Sequence, residues 1–260
     1  MITPVNIEAD DLSTAWLATV LSVRASPGHT AFHTVTRIRD TSISEQPRIR
    51  KAADDLLDEF GLQPVSTVAN TIFPAGLAAQ EADASSLSER YIKLYPELKK
   101  IRPQKNSKGT YFLRIVSYDN AVGKVNQLVH VIETLRKEIA SGGGAKRARY
   151  EITLEQQDSF ALPVFDPTHD TSAMAFPCLS FLSFQIDKTR LHVVAHYRSQ
   201  FLVERGYGNY LGIVNLLHYI AKQAGLTPGS ATIVVGLAHV DRLRTSLVSD
   251  LKALSDDLRR

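Results

Sequence analysis

The chain has 260 residues, of which 44% are hydrophobic and 22% charged, and its formal charge is +3. This is ordinary globular composition, enough for a sizeable core, and no run of 18 apolar residues is present to span a membrane. One cysteine excludes an intramolecular disulfide, and the mild, scattered positive charge suits an anionic small ligand without calling for nucleic acid.

The first eleven residues carry Glu8, Asp10 and Asp11 and no long apolar run, so a signal peptide is not expected. With the lone cysteine, this points to a cytoplasmic chain in a reducing compartment. No linker-like stretch interrupts the sequence, so one domain over residues 1–260 is expected.

Trp16, Leu17, Val20 and Leu21 recur at helical spacing within Leu12–Val23, and Ser26-Pro27-Gly28 marks a loop over Arg24–His29. Phe32–Ile38 reads as a strand. Pro47–Phe60 is a helix with Ile49, Ala52, Ala53, Leu56, Leu57 and Phe60 on one side, and Gly61 stops it. Ser85–Leu98 reads as helical. Tyr111–Tyr118 is expected as a strand or an extended approach to the next helix, which Asn126 caps. The apolar stripe of that helix is Leu128, Val131, Ile132, Leu135 and Ile139. Ser141–Gly144 is a flexible break before the basic run Lys146-Arg147-Ala148-Arg149. Tyr150–Leu154 reads as a strand and Asp158–Ala175 as loop.

The last third is the most regular. Phe181–Ile186 and Leu191–Ser199 flank Asp187-Lys188 as a β-hairpin. Period-two alternation puts His192, Val194, His196 and Arg198 on one face of the second strand, and Leu191, Val193, Ala195, Tyr197 and Ser199 on the other. Tyr210–Ala224 is a helix, Pro228-Gly229 is expected to turn the chain, Ala231–Val240 is a buried strand, and Arg242–Leu258 an amphipathic helix. Helices and strands intermix, an α+β class.

Cys178 taken alone fits an inert buried thiol as well as a nucleophile, since reactivity requires nearby positive charge. The hairpin supplies it: antiparallel pairing returns Arg198 and Ser199 to the side where Cys178 sits. Arg plus Ser is also a phosphate grip, a fork of donors beside a hydroxyl, although Arg198 equally suits a solvated strand end.

These features form a series: Phe176-Pro177-Cys178, Tyr197-Arg198-Ser199, Asn209 ahead of the long helix, Gly225 to Gly229, and Gly236-Leu237-Ala238-His239. In this register the chain resembles the family of thymidylate synthases and pyrimidine nucleotide hydroxymethylases, diverged and C-terminally shortened. The match runs from Arg198 to His239 without a gap. Upstream, Tyr111 to Leu128 is similar to the family segment that opens with an active-site tyrosine and closes in Asp-Gln-Leu, here Asn126-Gln127-Leu128. The resemblance implies a mixed sheet with packed helices, one sheet face used for homodimerisation, and a nucleoside monophosphate as ligand. Nucleic acid and membrane are not expected partners.

By the same resemblance Cys178 adds to C6 of a pyrimidine, with Tyr111 beside it. Arg198, Ser199 and the N-terminal candidate Arg24 grip the phosphate. Arg147 and Arg149 reach the phosphate of the partner subunit, or else form a basic loop after a glycine hinge. Asn209 reads the base edge, with a preference for uracil, or else caps its helix. His239 contacts the sugar. The family's folate donor, 5,10-methylenetetrahydrofolate, meets several mismatches. Leu179 stands where the family has His, Phe201 where it has the pterin-binding Asp, and Ala69 or Asn70 where it has the catalytic Glu. Leu237 replaces the Asp of its Asp-x-His motif, and Asp241 replaces a sugar-binding Tyr. The sequence runs 21 residues past His239, short of the segment the family closes over folate. Two functions remain: a methyltransferase- or hydroxymethyltransferase-like enzyme working through Cys178, or an inactive nucleotide-binding homologue that keeps the phosphate cradle.

Overall fold

The structure, a computed structural model, describes residues 4–101, 103, 109–120, 123–141, 161–166, 170, 177–242 and 244–258. Its centre is a six-stranded mixed sheet. In chain order the strands are β1 (Asn6–Ala9), β2 (Thr30–Ile38), β5 (Ala161–Pro163), β6 (Leu179–Asp187), β7 (Arg190–Phe201) and β8 (Thr227–His239). Their spatial order is β1-β2-β8-β7-β6-β5. β1 with β2 and β7 with β8 run parallel, and the remaining pairs are antiparallel. Strands β3 (Tyr118–Asn120) and β4 (Gly123–Val125) form a separate two-stranded ribbon.

The helices are α1 (Leu12–Ala25), α2 (Pro47–Glu59), α3 (Val65–Ile72), α4 (Ala75–Ala78), α5 (Ala84–Ile101), α6 (Tyr111–Val116), α7 (Gln127–Ala140), α8 (Tyr207–Ala224) and α9 (Thr245–Asp257). Asp11 caps α1, its carboxylate accepting from the Thr14 N–H at 2.9 Å, and Asn126 caps α7 through the Val129 N–H at 3.2 Å. The expected stripe of α7 is buried except at Ile139, which is 44% exposed. A mixed sheet with packed helices is the α+β architecture the sequence indicates.

One sheet face forms the core. Leu182, Phe184, Ile186, Leu191, Val193, Ala195, Tyr197, Ala231, Ile233 and Val235 are at most 7% exposed, and α1 and α8 lie against these strands. The alternate residues Ser183, Gln185, His192, Val194, His196, Thr232 and Val234 are only half-buried. Period-two alternation therefore places the hydrophobic set on one side as expected.

Several elements differ from the sequence reading, and Ala161–Pro163, inside the expected Asp158–Ala175 loop, is strand β5 because it pairs with β6. Tyr111–Val116 is helical, because Thr110 caps it by accepting from the Leu113 N–H at 3.1 Å and Phe112, Ile115 and Val116 bury one side. Pro228-Gly229 lies inside β8 and makes no turn. The proline is the second strand residue. A Cβ at Gly229 would lie 2.6 Å from the His192 ring, so glycine is what lets this ring cross from β7. The ring then accepts from the Ser230 N–H at 3.0 Å. Finally, α9 begins at Thr245, after Arg242 adopts a positive φ of 57°. The expected Tyr150–Leu154 strand lies outside the described residues.

Helix α3 sits unusually close to α8. A Cβ at Gly208 would meet Val68 Cβ at 2.5 Å, and one at Gly212 would meet Ala69 O and Ile72 Cβ at 2.8 Å. Small residues on this stripe of α8 let the two backbones approach. Gly212→Ala should therefore destabilise the fold by about 1–3 kcal/mol through overpacking. Gly76→Ala, where nothing lies within 4 Å of the added carbon, should stay within about 0.5 kcal/mol. Urea denaturation of the two variants measures the contrast.

Candidate functional site

β7 and β8 end, and β2 and β6 begin, at one end of the sheet. Phe201 and Thr30 both pair with His239, and Leu179 pairs with Tyr197. Sequence-distant residues converge there. The Arg198 N–H donates to the Cys178 carbonyl at 2.8 Å, so the hairpin brings Arg198 beside the thiol-bearing residue. The Arg198 guanidinium lies 4.1 Å over the Phe165 ring and donates to the Pro177 carbonyl at 3.5 Å. Ser199, half-buried, follows on β7. His239 packs against Phe201, with ring centroids 5.5 Å apart. Arg24 reaches the same end through His29: its Nη1 lies 2.6 Å from His29 Nδ1, and the His29 carbonyl accepts from the Val240 N–H at 3.0 Å.

Asn209 is the third residue of α8 and 5% exposed. Gly206 occupies the cap position, so capping does not explain Asn209. Among the described residues its amide has no hydrogen-bond partner. Arg147 and Arg149 lie outside the described residues.

Tyr111 borders the thiol. Its hydroxyl faces the backbone N–H groups of Leu179 and Cys178, and burial pushes its pKa up to about 12, with the neighbouring sulfur adding to the rise. Burial also pushes the Cys178 thiol up, and the positive charges of Arg198 and Arg205 oppose that rise. Arg205 was not among the residues singled out from sequence. The signal was a charged pair, Glu204-Arg205, just ahead of a long helix. It belongs to a five-residue π-helical turn, Leu202–Gly206, that joins β7 to α8. Trp16 Nε1 donates to the Leu202 carbonyl at 2.8 Å, and the Asp241 carboxylate accepts from the Val203 and Glu204 N–H groups at 3.0 and 3.2 Å. The residue that stands where the family has a sugar-binding tyrosine is thus a clamp on this turn.

Beside the turn lies a cavity of about 730 Å³. Tyr91, Leu94, Leu98 and Ile101 give it an apolar wall, with Gln63 and Asn70 opposing them and Glu204 and Arg205 also lining it. A cavity of this size accommodates a drug-sized molecule. The positions that contact folate in the family do not fit that cofactor. Phe201 is half exposed and offers a ring in place of a carboxylate, and Ala69 is 2% exposed beneath α8. Neither supplies the hydrogen bonds or proton transfer of the acidic residues. Leu179, 0% exposed, is a core residue. Among the described residues, no cluster of His, Cys, Asp and Glu suits a metal ion, and no helix is long and apolar enough to cross a membrane.

The balance of burial against two arginines leaves the thiol protonated at neutral pH. Alkylation of Cys178 by iodoacetamide should follow thiolate formation, with a midpoint above that of free cysteine. A midpoint below that of free cysteine contradicts the dominance of burial.

No family model matches the chain. It is similar to archaeal proteins named "Putative thymidylate synthase". The one from Methanococcoides burtonii is 29% identical over 131 residues, covering 50% of this chain and 52% of the relative. The protein of that name from Methanosarcina mazei is 28% identical over the same shares, and that from Methanocaldococcus jannaschii 26% identical over 47% and 50%. The chain spans about half the length of the curated relatives it matches. Together with the mixed α+β architecture and the residue series from Cys178 to His239, these likenesses support a resemblance to a diverged thymidylate synthase-like family.

Proposed function

We propose that the chain is a thymidylate synthase-like transferase that acts on a pyrimidine nucleoside monophosphate through a covalent Cys178 adduct. The observation that carries this reading is the convergence of Cys178, Arg198, Ser199, Arg24 and His239 at one sheet end. In the step proposed, the Cys178 thiolate forms a bond to C6 of the pyrimidine. The C5–C6 π pair moves towards C5 and the C4 carbonyl, so that C5 becomes the nucleophile and then takes an electrophile or a proton. Arg198, Ser199 and Arg24 hold the phosphate, and the charge of the arginines favours the thiolate. Asn209 reads the base edge, His239 meets the sugar, and Tyr111 lies beside the sulfur. No step is drawn through folate, whose contact positions do not fit.

A 5-fluorinated uridine monophosphate should form an adduct on the wild-type protein, seen as one added ligand mass and a new ¹⁹F resonance. Cys178→Ala should abolish it. The buried Ala69 and the aromatic Phe201 favour a second reading, a nucleotide-binding homologue without chemistry. In that case the nucleotide raises the melting temperature equally in wild type and Cys178→Ala, and no adduct forms.

We further propose that a second copy of the chain covers the half-buried sheet face. Its support is that His192, Val194, His196 and Val234 stand uncovered opposite the packed face, next to Phe181 at 37% exposure. Arg147 and Arg149 would then complete the partner's phosphate site. Sedimentation should find a dimer, and Val194→Lys a monomer with unchanged circular dichroism. A monomeric wild type removes this proposal.

A further inference from the structure

Three neighbouring strands change facing at one level of the sheet. Along β7, alternation holds from Leu191 to Tyr197, with the odd-numbered residues buried. It then shifts by one residue: Arg198 and Ser199 are both half-buried, and Gln200 is 3% exposed. On β8, Gly236 and Leu237 likewise stand together between the buried Val235 and Ala238. On β2, Phe32 and His33 are exposed between the buried Ala31 and Thr34, and His33 takes a φ of 54°. Register is kept on both sides of the shift. Thr34, Val235 and Tyr197 form one row, and Ala31, Ala238 and Gln200 another. The three strands therefore reverse together. Ala31 and Ala238 belong to the hydrophobic core, so the reversal turns the row that includes Gln200 back to the buried side. Gly236 sits at the crossing point. A Cβ there would lie 2.7 Å from the Arg198 carbonyl oxygen, a backbone atom that cannot rotate away as a side chain can. Gly236 does not have a positive φ, so what this glycine supplies is space.

We propose that Gly236 is a positioning residue for the phosphate grip: the room it leaves lets β7 reverse at Arg198, so that Arg198 and Ser199 both stay off the buried face and meet one phosphate monoester. This rests on the reading of those two residues as the grip. In a regular strand successive Cβ atoms point to opposite faces, so a guanidinium and a hydroxyl at neighbouring positions are divided between the two sides. Ser199 would then point into the core beside Tyr197. The shift removes that conflict. Gln200 takes the buried place instead, and its amide finds no hydrogen-bond partner among the described residues. A buried amide without a partner costs stability, and here the reversal imposes that cost. In return, fork and hydroxyl can donate to the same anion.

The test is calorimetric titration of the full chain with uridine monophosphate and its deoxy form, arranged as a double-mutant cycle. Ser199→Ala should weaken binding by about tenfold. Gly236→Ala should do the same while circular dichroism is retained. In the Gly236→Ala background, Ser199→Ala should add about twofold or less, because its hydroxyl has already left the phosphate. Gly229→Ala adds a comparably crowded methyl at the other end of β8, 2.6 Å from the His192 ring, and should change neither the affinity nor the Ser199 effect. Losses from Gly236→Ala and Ser199→Ala that multiply, or an equal loss from Gly229→Ala, overturn the proposal. Gln200→Leu tests the reversal even where Gly236→Ala fails to fold. With Gln200 on the buried side, the leucine should keep the affinity and leave the melting temperature equal or higher. A Gln200→Leu that weakens binding, or a Ser199→Ala that does not, overturns the proposal without the glycine variant. Wild type that binds neither nucleotide removes the grip itself, and this proposal with it. Wild-type binding with multiplying losses removes this proposal alone. A missing fluoronucleotide adduct touches neither, since only binding is required.

Discussion

The hydrogen bond from the Arg198 N–H to the Cys178 carbonyl is the contact on which the site depends. It closes the open end of the β6–β7 hairpin, and so brings Cys178 and Arg198 together although twenty positions separate them. β7 is also an interior strand, held by β6 on one side and by β8 on the other. Its parallel pairing with β8 brings His239 to Phe201, and the antiparallel pairing of β8 with β2 adds Thr30 and the Arg24–His29 loop. One central strand thus collects residues from four parts of the chain at its C-terminal end. A register slip of β7 by one residue would send its own side chains, Arg198 and Ser199 among them, to the opposite faces.

The connection from β7 to α8 is equally constrained. Five residues of π-helical turn carry the chain between them, fixed by Trp16 from α1 and by Asp241 from beyond β8. Trp16 also packs edge-on against Tyr207 at 5.2 Å, and Tyr207 shares a 2.7 Å hydrogen bond with Ser13. The start of α8 is therefore tied to α1, while Gly208 and Gly212 let α3 close over it. This close crossing buries Ala69 and leaves Asn70 on the cavity wall. The departures from the family pattern are accordingly structural as well as chemical. Leu179 is core, Ala69 is interhelical packing, and Asp241 is a turn clamp. Each position where the sequence departs from the family pattern contributes to folding.

Much of the fold was legible because its signals are local. The α1 stripe, the Asn126 cap, the two-residue hairpin turn and the alternation of β7 depend on spacing along the chain, and all are observed. The errors arose where a distant partner decided. Pro228-Gly229 carries strong turn chemistry, yet the His192 ring on the neighbouring strand needs the space that glycine leaves, and the strand continues through it. Tyr111–Val116 has apolar residues that suit a strand or a helix, and the Thr110 cap together with burial of Phe112 and Ile115 selects the helix. Asn209 has the composition of a cap, but the π-helical turn moves the helix start back to Tyr207.

For the site the division is similar. The sequence by itself determined the α+β class, the family resemblance, and the return of Arg198 and Ser199 to the Cys178 end of the sheet, because hairpin strands run antiparallel, whereas a bulge between Leu179 and Phe181 sets the register there. Only the tertiary structure decided which further charges meet the sulfur. Tyr111 reaches the Cys178 backbone from a helix that shares no strand pairing with it, and Asp241 clamps the turn that carries Arg205 from 37 to 38 residues away. No periodicity encodes these meetings, since they arise from how α1, α3 and α8 pack on the sheet. The same packing sets the charge balance at the thiol. The sequence names the cysteine and the arginines, whereas burial, which raises the thiol, exists only once the core has closed around it.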